Sequence, residues 1–344
     1  LPIFQADKNN KKRELQREKL KTMPKAYVVR HTGSPDVLRL EEIPHTRPGP
    51  GQVSIRQTYI GVNYIDIYQR SGLYPMPQPF IPGIEGCGEI AEIGEGVNSF
   101  RIGDRVAYAT ATGGAYTEYR VIPARLLIAI PDDISDATAM ATLAKGLTAH
   151  ALLFRVIHIW EGCPILIHAA AGGMGQILCQ WGKHLGANIF GTVSSPQKLE
   201  IAKKVGCQNA MLYSDKIQEK ILQKNNGEGV SVVYDSVGKT TFNLSMECLK
   251  RFGLLVSFGQ SSGPVPPINI MDLSEKGLFL TRPSLHLYKR ERLELVLSAA
   301  EVFSLISKKI IRPNVHHIYS FGEAAKAHND LASRVTSGSL LLKI

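Results

Sequence analysis

Residues 164–193 read PILIHAAAGGMGQILCQWGKHLGANIFGTV, an apolar β run, a glycine-rich turn, a helical stretch and a second apolar β run. In that order a G-x-G-x-x-G pattern marks a dinucleotide site. Its three slots fall on Ala170, Gly172 and Gly175. Gly172 lets the backbone approach a pyrophosphate, and Gly175 permits tight helix–strand packing. The helix that follows points its first amides at the phosphate charge. Ala170 departs from the pattern in the first slot and fits it where that residue keeps a negative φ.

About twenty residues further on, an acidic side chain at the end of the second strand would grip a ribose 2′-hydroxyl. The strand instead ends Gly191-Thr192-Val193-Ser194-Ser195-Pro196-Gln197-Lys198, with hydroxyls and an ammonium where a carboxylate would repel a 2′-phosphate. NADPH is therefore expected in preference to NADH. The duller alternative makes Lys198 a solvated lysine of a first helical turn.

Working outward, apolar β runs (PILIHAA, NIFGTV, NAMLYS, VSVVYDSV, GLLVSFG, LFLTR) alternate with helical stretches between Cys163 and Arg282. Such alternation predicts a doubly wound parallel α/β sheet. From Lys25 to Pro131 the chain instead shows short alternating segments broken by Gly and Pro, the pattern of an antiparallel β-rich domain. After Pro283 an amphipathic stretch leads to a strand, helix and strand expected to return to the first domain. The expected layout is a basic extension at 1–22, a β-rich catalytic domain at 23–148 and 287–344, and a dinucleotide-binding domain at 149–286 inserted into it.

Composition narrows the function classes. The 344 residues are 44% hydrophobic and 20% charged, with no apolar run long enough to span a bilayer. The net charge of +10 is inflated by residues 1–22, which hold seven Lys/Arg against three Asp/Glu. An RNA-binding arm there is the one sequence feature that favours a nucleic-acid partner. Five scattered cysteines without a CxxC pair argue against a disulfide framework or zinc cluster, and fit a reducing cytoplasm.

Several stretches, GVNYIDIYQRSGLYP, LAKGLTA, HAAAGGMGQ, GTVSSPQK, VVYDSVG, SFGQSSG, TRPSL and SRVTSGSLLLKI, resemble bacterial NADPH:quinone oxidoreductases from Met23 to the end. Those enzymes are similar to ζ-crystallin and belong to the medium-chain dehydrogenase/reductase superfamily. The resemblance implies a Rossmann domain inserted into a GroES-like catalytic domain. It also implies NADPH-dependent quinone reduction, with enal or enone reduction, or an RNA-binding or structural role of ζ-crystallin type, as alternatives. The superfamily's zinc ligands would fall in stretches that read Asn63-Tyr64-Ile65-Asp66 and Gly83-Ile84-Glu85, so no metal is expected.

By the same resemblance, Asn63, Tyr64, Ile65, Asp66, Ile67 and Tyr68 meet the nicotinamide end, with Tyr74 on the next loop. The amides of Gly173 and Met174 hold the pyrophosphate. Ser194, Ser195, Lys198 and Tyr213 surround the 2′-phosphate. Ser236, the turn Phe258, Gly259, Gln260 and Ser261, the turn Thr281, Arg282 and Pro283, and Arg334 complete the site. Asn63, Tyr68 and Tyr74 are the substrate-cleft candidates; a phenol stays protonated at neutral pH and can donate to a quinone oxygen. Alternatively, Tyr64 and Tyr68 pack as an i, i+4 pair and Arg334 complements a helix dipole. Dimerisation through the edge strand LFLTR is also implied.

Overall fold

A computed structural model describes residues 23–110, 112–284, 287 and 290–344; the basic extension at 1–22 lies outside the described residues. Contacts divide the chain into two units, one of residues 1–130, 319–329 and 342–344, the other of residues 131–318 and 330–341.

The first unit is β-rich. Strands β1 (Lys25–Val28) and β2 (Arg39–Glu42) form an antiparallel ribbon. The long strand β3 (Gln52–Val62) leads into a short helix α1 (Tyr64–Ser71). Strands β4 (Glu85–Ile93), β5 (Arg105–Ala109), β6 (Tyr119–Pro123) and β7 (Ile128–Ala129) follow. They build an antiparallel sheet in the order β3-β4-β5-β7, with β6 on the other side of β3. The amide of Ile344, at the chain's end, donates to the Thr58 carbonyl on β3.

The second unit opens with helix α2 (Asp136–His150), whose Ser135 cap accepts from the Thr138 amide. Then β8 (Pro164–Ile167), α3 (Gly173–His184), β9 (Asn188–Val193), α4 (Pro196–Lys204), β10 (Asn209–Leu212), α5 (Ile217–Lys224), β11 (Val230–Asp235), α6 (Phe242–Cys248), β12 (Leu249–Ser257) and β13 (Phe279–Thr281) follow. All six strands are parallel, in the order β10-β9-β8-β11-β12-β13. Helix α7 (Arg292–Ser307), which lies outside 149–286 as α2 does, packs in this unit by contact. The chain ends in β14 (Val315–Ser320), α8 (Ala324–Ala332) and β15 (Ser339–Lys343), the strand, helix and strand anticipated for the tail.

Both faces of the parallel sheet are covered, which is why its strands read as continuous apolar runs. Ile165, Ile167, Val232 and Tyr234 pack on one face with Trp181, Leu178 and Val302. Leu166, Phe190 and Val233 pack on the other with Ile217, Ile221 and Phe242. The order reverses between β8 and β11, and at that switch point the carboxyl ends of the strands leave a crevice for ligands. Among the described residues no helix is long and apolar enough to cross a membrane.

Gly191 on β9 shows how closely the sheet and helices are fitted. A Cβ there would stand 2.5 Å from Cys207 Sγ and 2.8 Å from Ala170 Cβ, both fully buried. Gly191→Ala should therefore destabilise the protein by about 1–3 kcal/mol through overpacking, read as a lowered melting temperature by circular dichroism.

Candidate functional site

The glycine-rich turn begins where β8 ends. Ala169 carries the left-handed backbone, φ +53°, and Ala170 does not, so the fingerprint's departure at Ala170 meets no steric objection. The Ala169 amide donates to the Tyr213 hydroxyl at 3.1 Å, and its carbonyl accepts from Gly172 at 2.8 Å. A Cβ on Gly175 would lie 2.4 Å from the Ala169 carbonyl oxygen and 2.7 Å from Ala170 Cα, so glycine is required there for space. Helix α3 starts with neither a side-chain cap nor an acidic residue in its first turn. Its first amides, among them those of Gly173, Met174 and Gly175, are left for an anion.

The remaining candidates of this unit lie at the carboxyl ends of the same parallel strands. Ser194 is exposed just past β9, while Ser195 caps α4 by accepting from the Lys198 amide at 3.3 Å. Lys198 Nζ donates to the Arg334 carbonyl at 2.5 Å, and the Arg334 guanidinium donates to the Ser261 carbonyl at 2.9 Å. Arg334 follows α8 in the left-handed conformation, φ +59°, and its side chain reaches the turn after β12. Two cations thus stand together, and burial, then the Arg334 charge, pushes the Lys198 ammonium below its ordinary pKa. Tyr213 stacks on His168 with ring centroids 6.0 Å apart, and so supports the turn.

Past β11, Ser236 lies against the turn Phe258 to Ser261: a Cβ on Gly259 would come 2.5 Å from the Ser236 carbonyl oxygen. Ser261 donates its amide to that oxygen at 3.2 Å, and Gln260 sits between them in the turn. Arg282 donates to the carbonyls of Ser257 and Gly259, tying the end of β12 to the segment of Thr281 and Pro283.

Beneath this edge runs a buried polar network that sequence reading missed. The Asp235 carboxylate accepts from the amides of Val237 (2.7 Å) and Gly238 (2.9 Å), and from the hydroxyls of Thr241 and Ser245. Ser245 in turn meets His168 Nε2 at 3.0 Å, while Thr192 meets His168 Nδ1 at 2.7 Å. Burial pushes the His168 pKa down, against the pull of Asp235, and the ring stays neutral. The D-S-V-G stretch after β11 was the available signal: an acid at a strand end, followed by amides free to bind it.

In the first unit, Asn63 caps α1. Asp66 accepts the Asn63 amide at 2.8 Å, and Asn63 Nδ2 donates to Glu85 at 2.7 Å. Asp66 is fully buried and takes the Tyr116 hydroxyl at 3.2 Å, so it braces the helix from below. Tyr64 and Tyr68 are ring neighbours at 6.0 Å, and Tyr68 and Tyr74 at 5.2 Å, with Ile65 and Ile67 half-buried on the same helix. The i, i+4 aromatic pair is real, and Tyr74 extends it into a row of three.

The profile of the zinc-binding dehydrogenase family matches residues 173–299, and that of the alcohol dehydrogenase GroES-like domain matches residues 49–132. Quinone oxidoreductase of Pseudomonas aeruginosa is 44% identical over 313 residues, 90% of this chain and 96% of that protein. A 2-haloacrylate reductase of Burkholderia sp is 39% identical over 330 residues, 93% of this chain and 99% of that protein. The crystal structure of Escherichia coli quinone oxidoreductase complexed with NADPH has a TM-score of 0.90 at 40% identity, covering 94% of this chain and 100% of that one.

The residues do not fit the zinc in the first profile's name. Asn63 offers an amide already committed to Glu85, and Ile84 is buried hydrocarbon. Among the described residues no group of three or more His, Cys, Asp or Glu could hold a metal ion.

The brace under α1 contains a buried histidine, His328. Tyr116 donates to Asp66, so His328 Nε2, 2.9 Å from the Tyr116 oxygen, carries its ring proton and donates. Burial, reinforced by the Arg70 charge, pushes the His328 pKa from 6.5 down to about 3. Between those values the unfolded chain binds more protons, so stability falls as the pH falls, by at most about 1.4 kcal/mol per pH unit. His328→Gln keeps a donor and should flatten this part of the acid limb, measured as the difference between the two chains in urea unfolding from pH 7 to pH 4.

Proposed function

The chain belongs to the quinone oxidoreductase family, and from that premise we propose that it reduces quinones by hydride transfer from NADPH without a metal. The observation that carries the cofactor choice is the Lys198–Arg334 pair at the carboxyl edge of the parallel sheet, beside a glycine-rich turn and an uncapped helix N-terminus. Two cations held against each other suit a 2′-phosphate, and an acidic residue for a ribose 2′-hydroxyl is missing from the Ser194 to Lys198 segment.

NADPH supplies the hydride when bound. The protein's own work is to hold and orient. The turn at Gly172 to Gly175 and the first amides of α3 hold the diphosphate. Lys198 and Arg334 hold the 2′-phosphate, with Ser194 and the Ser261 turn closing around it. Ser195 and Tyr213 keep the α4 start and the glycine turn in place. Asn63, Tyr68 and Tyr74 are assigned to the substrate cleft, where a tyrosine hydroxyl donates to a quinone oxygen. Asp66, buried and bonded inward, positions their helix.

Reduction of an activated C=C bond is the second reading, and the similarity to a 2-haloacrylate reductase favours keeping it. Here hydride goes to the β-carbon and a proton to the α-carbon. A quinone takes its proton on oxygen, so the alkene reaction alone needs a positioned carbon acid–base step. Two further assignments complete the proposal. The edge strand β13, with Phe279 exposed, pairs with that of a second copy to make a homodimer. The protein works in the reducing cytoplasm.

Anaerobic single-turnover oxidation of NADPH separates the two acceptors. Rapid oxidation by 1,4-benzoquinone and slow oxidation by an alkenal is the expected result; the reverse order would establish the alkene reading. Arg334→Ala should weaken NADPH binding about ten- to hundredfold, the worth of a hydrogen bond to a charged group, and leave NADH binding unchanged in fluorescence titration. Tyr68→Phe with Tyr74→Phe should raise the quinone KM without altering the NADPH Kd; an unchanged KM removes both hydroxyls from the cleft assignment.

A further inference from the structure

Strand β4 opens on Glu85, which is fully buried. Its side chain crosses to β3 and lies over Gly61. A Cβ on Gly61 would stand 2.5 Å from the Glu85 carboxyl carbon, so the glycine leaves the space that the carboxylate fills. From there Glu85 accepts from Asn63 Nδ2 at 2.7 Å. Asn63 stands where β3 passes into α1, with extended backbone, φ −131°.

Two buried acids thus hold Asn63, and they hold different parts of it. Asp66, from α1 itself, accepts the backbone amide at 2.8 Å, a bond that any residue except proline would make at that position. Glu85, from β4, accepts the side-chain amide, a bond that needs the asparagine and fixes its rotation. The two ends of that amide differ, since the amino end donates and the carbonyl end accepts. A carboxylate takes the amino end and turns the carbonyl oxygen away. Burying a carboxylate costs free energy that hydrocarbon in the same space would not. What the acid adds is direction.

We propose that Glu85 is a positioning residue for quinone reduction, acting through Asn63 by fixing which way its side-chain amide is turned. This rests on the assignment of Asn63 to the substrate cleft given above. One amino hydrogen is committed to Glu85, and the other keeps a constant direction. A quinone oxygen only accepts, so it needs that hydrogen in one place. With the amide free to turn over, its carbonyl oxygen would take the donor's position. Glu85, fully buried, acts without touching the substrate.

The test is steady-state reduction of 1,4-benzoquinone by NADPH in the wild-type chain, Glu85→Gln, Glu85→Met, Asn63→Ser and the double variant of Glu85→Met with Asn63→Ser. The serine still caps a helix but is shorter than the asparagine that reaches Glu85. Glu85→Met should lower kcat/KM about tenfold, while Glu85→Gln, which keeps an accepting oxygen, retains most of it. In the Asn63→Ser background Glu85→Met should bring no further loss, and the Kd of 2′-AMP should stay unchanged throughout. An unchanged kcat/KM in a folded Glu85→Met, or an equal loss on both backgrounds, would overturn the proposal, because an acid that only supports the fold does not act through Asn63. If the Met variant does not fold by circular dichroism, Glu85→Leu takes the same assays with the same expected and contrary results. Failure of the underlying reading looks different: the wild-type chain itself would not oxidise NADPH with 1,4-benzoquinone.

Discussion

The second unit is organised around the absence of a side chain at Gly175. Helix α3 begins so close to the end of β8 that a single Cβ would sit 2.4 Å from the Ala169 carbonyl oxygen. That approach brings the helix N-terminus, which no side chain of its N-cap residue satisfies, to the carboxyl edge of the sheet. Ala169 accepts a left-handed backbone to make the turn, at about 1–2 kcal/mol for an L-residue. Tyr213 and His168, stacked below, are part of what holds it there.

Electrostatics divide the polar groups of this edge into two layers. The buried carboxylate of Asp235 is turned inward and bonded by amides and hydroxyls, so its charge stabilises the turn after β11. Facing outward are an uncapped helix end, the Lys198 ammonium and the Arg334 guanidinium. An acid is buried and satisfied below, and cations are gathered above. His168 extends the buried layer from Ser245 to Thr192.

In the first unit the same economy applies to α1. An eight-residue helix has little intrinsic stability. Asp66 anchors it at its own N-terminus and, through Tyr116 and His328, to the returning α8. Two tyrosines of that helix and Tyr74 of the loop after it then stand in a row beside buried polar bonds.

The alternation of β runs and helical stretches was enough to determine the parallel sheet, because a central strand buried on both faces must be apolar throughout, and each of the six expected runs forms a strand. The glycine spacing and the acid-free end of β9 were likewise legible, since the steric and electrostatic demands of a phosphate turn are local. What the sequence could not decide are the partnerships between residues far apart in the chain. Arg334 meets Lys198 across 136 positions, and Tyr116 meets His328 across 212. Asp66 carried no local mark that it would be buried and bonded inward. Those outcomes depend on which side chains the packing places within a few ångströms, and local periodicity does not encode that distance.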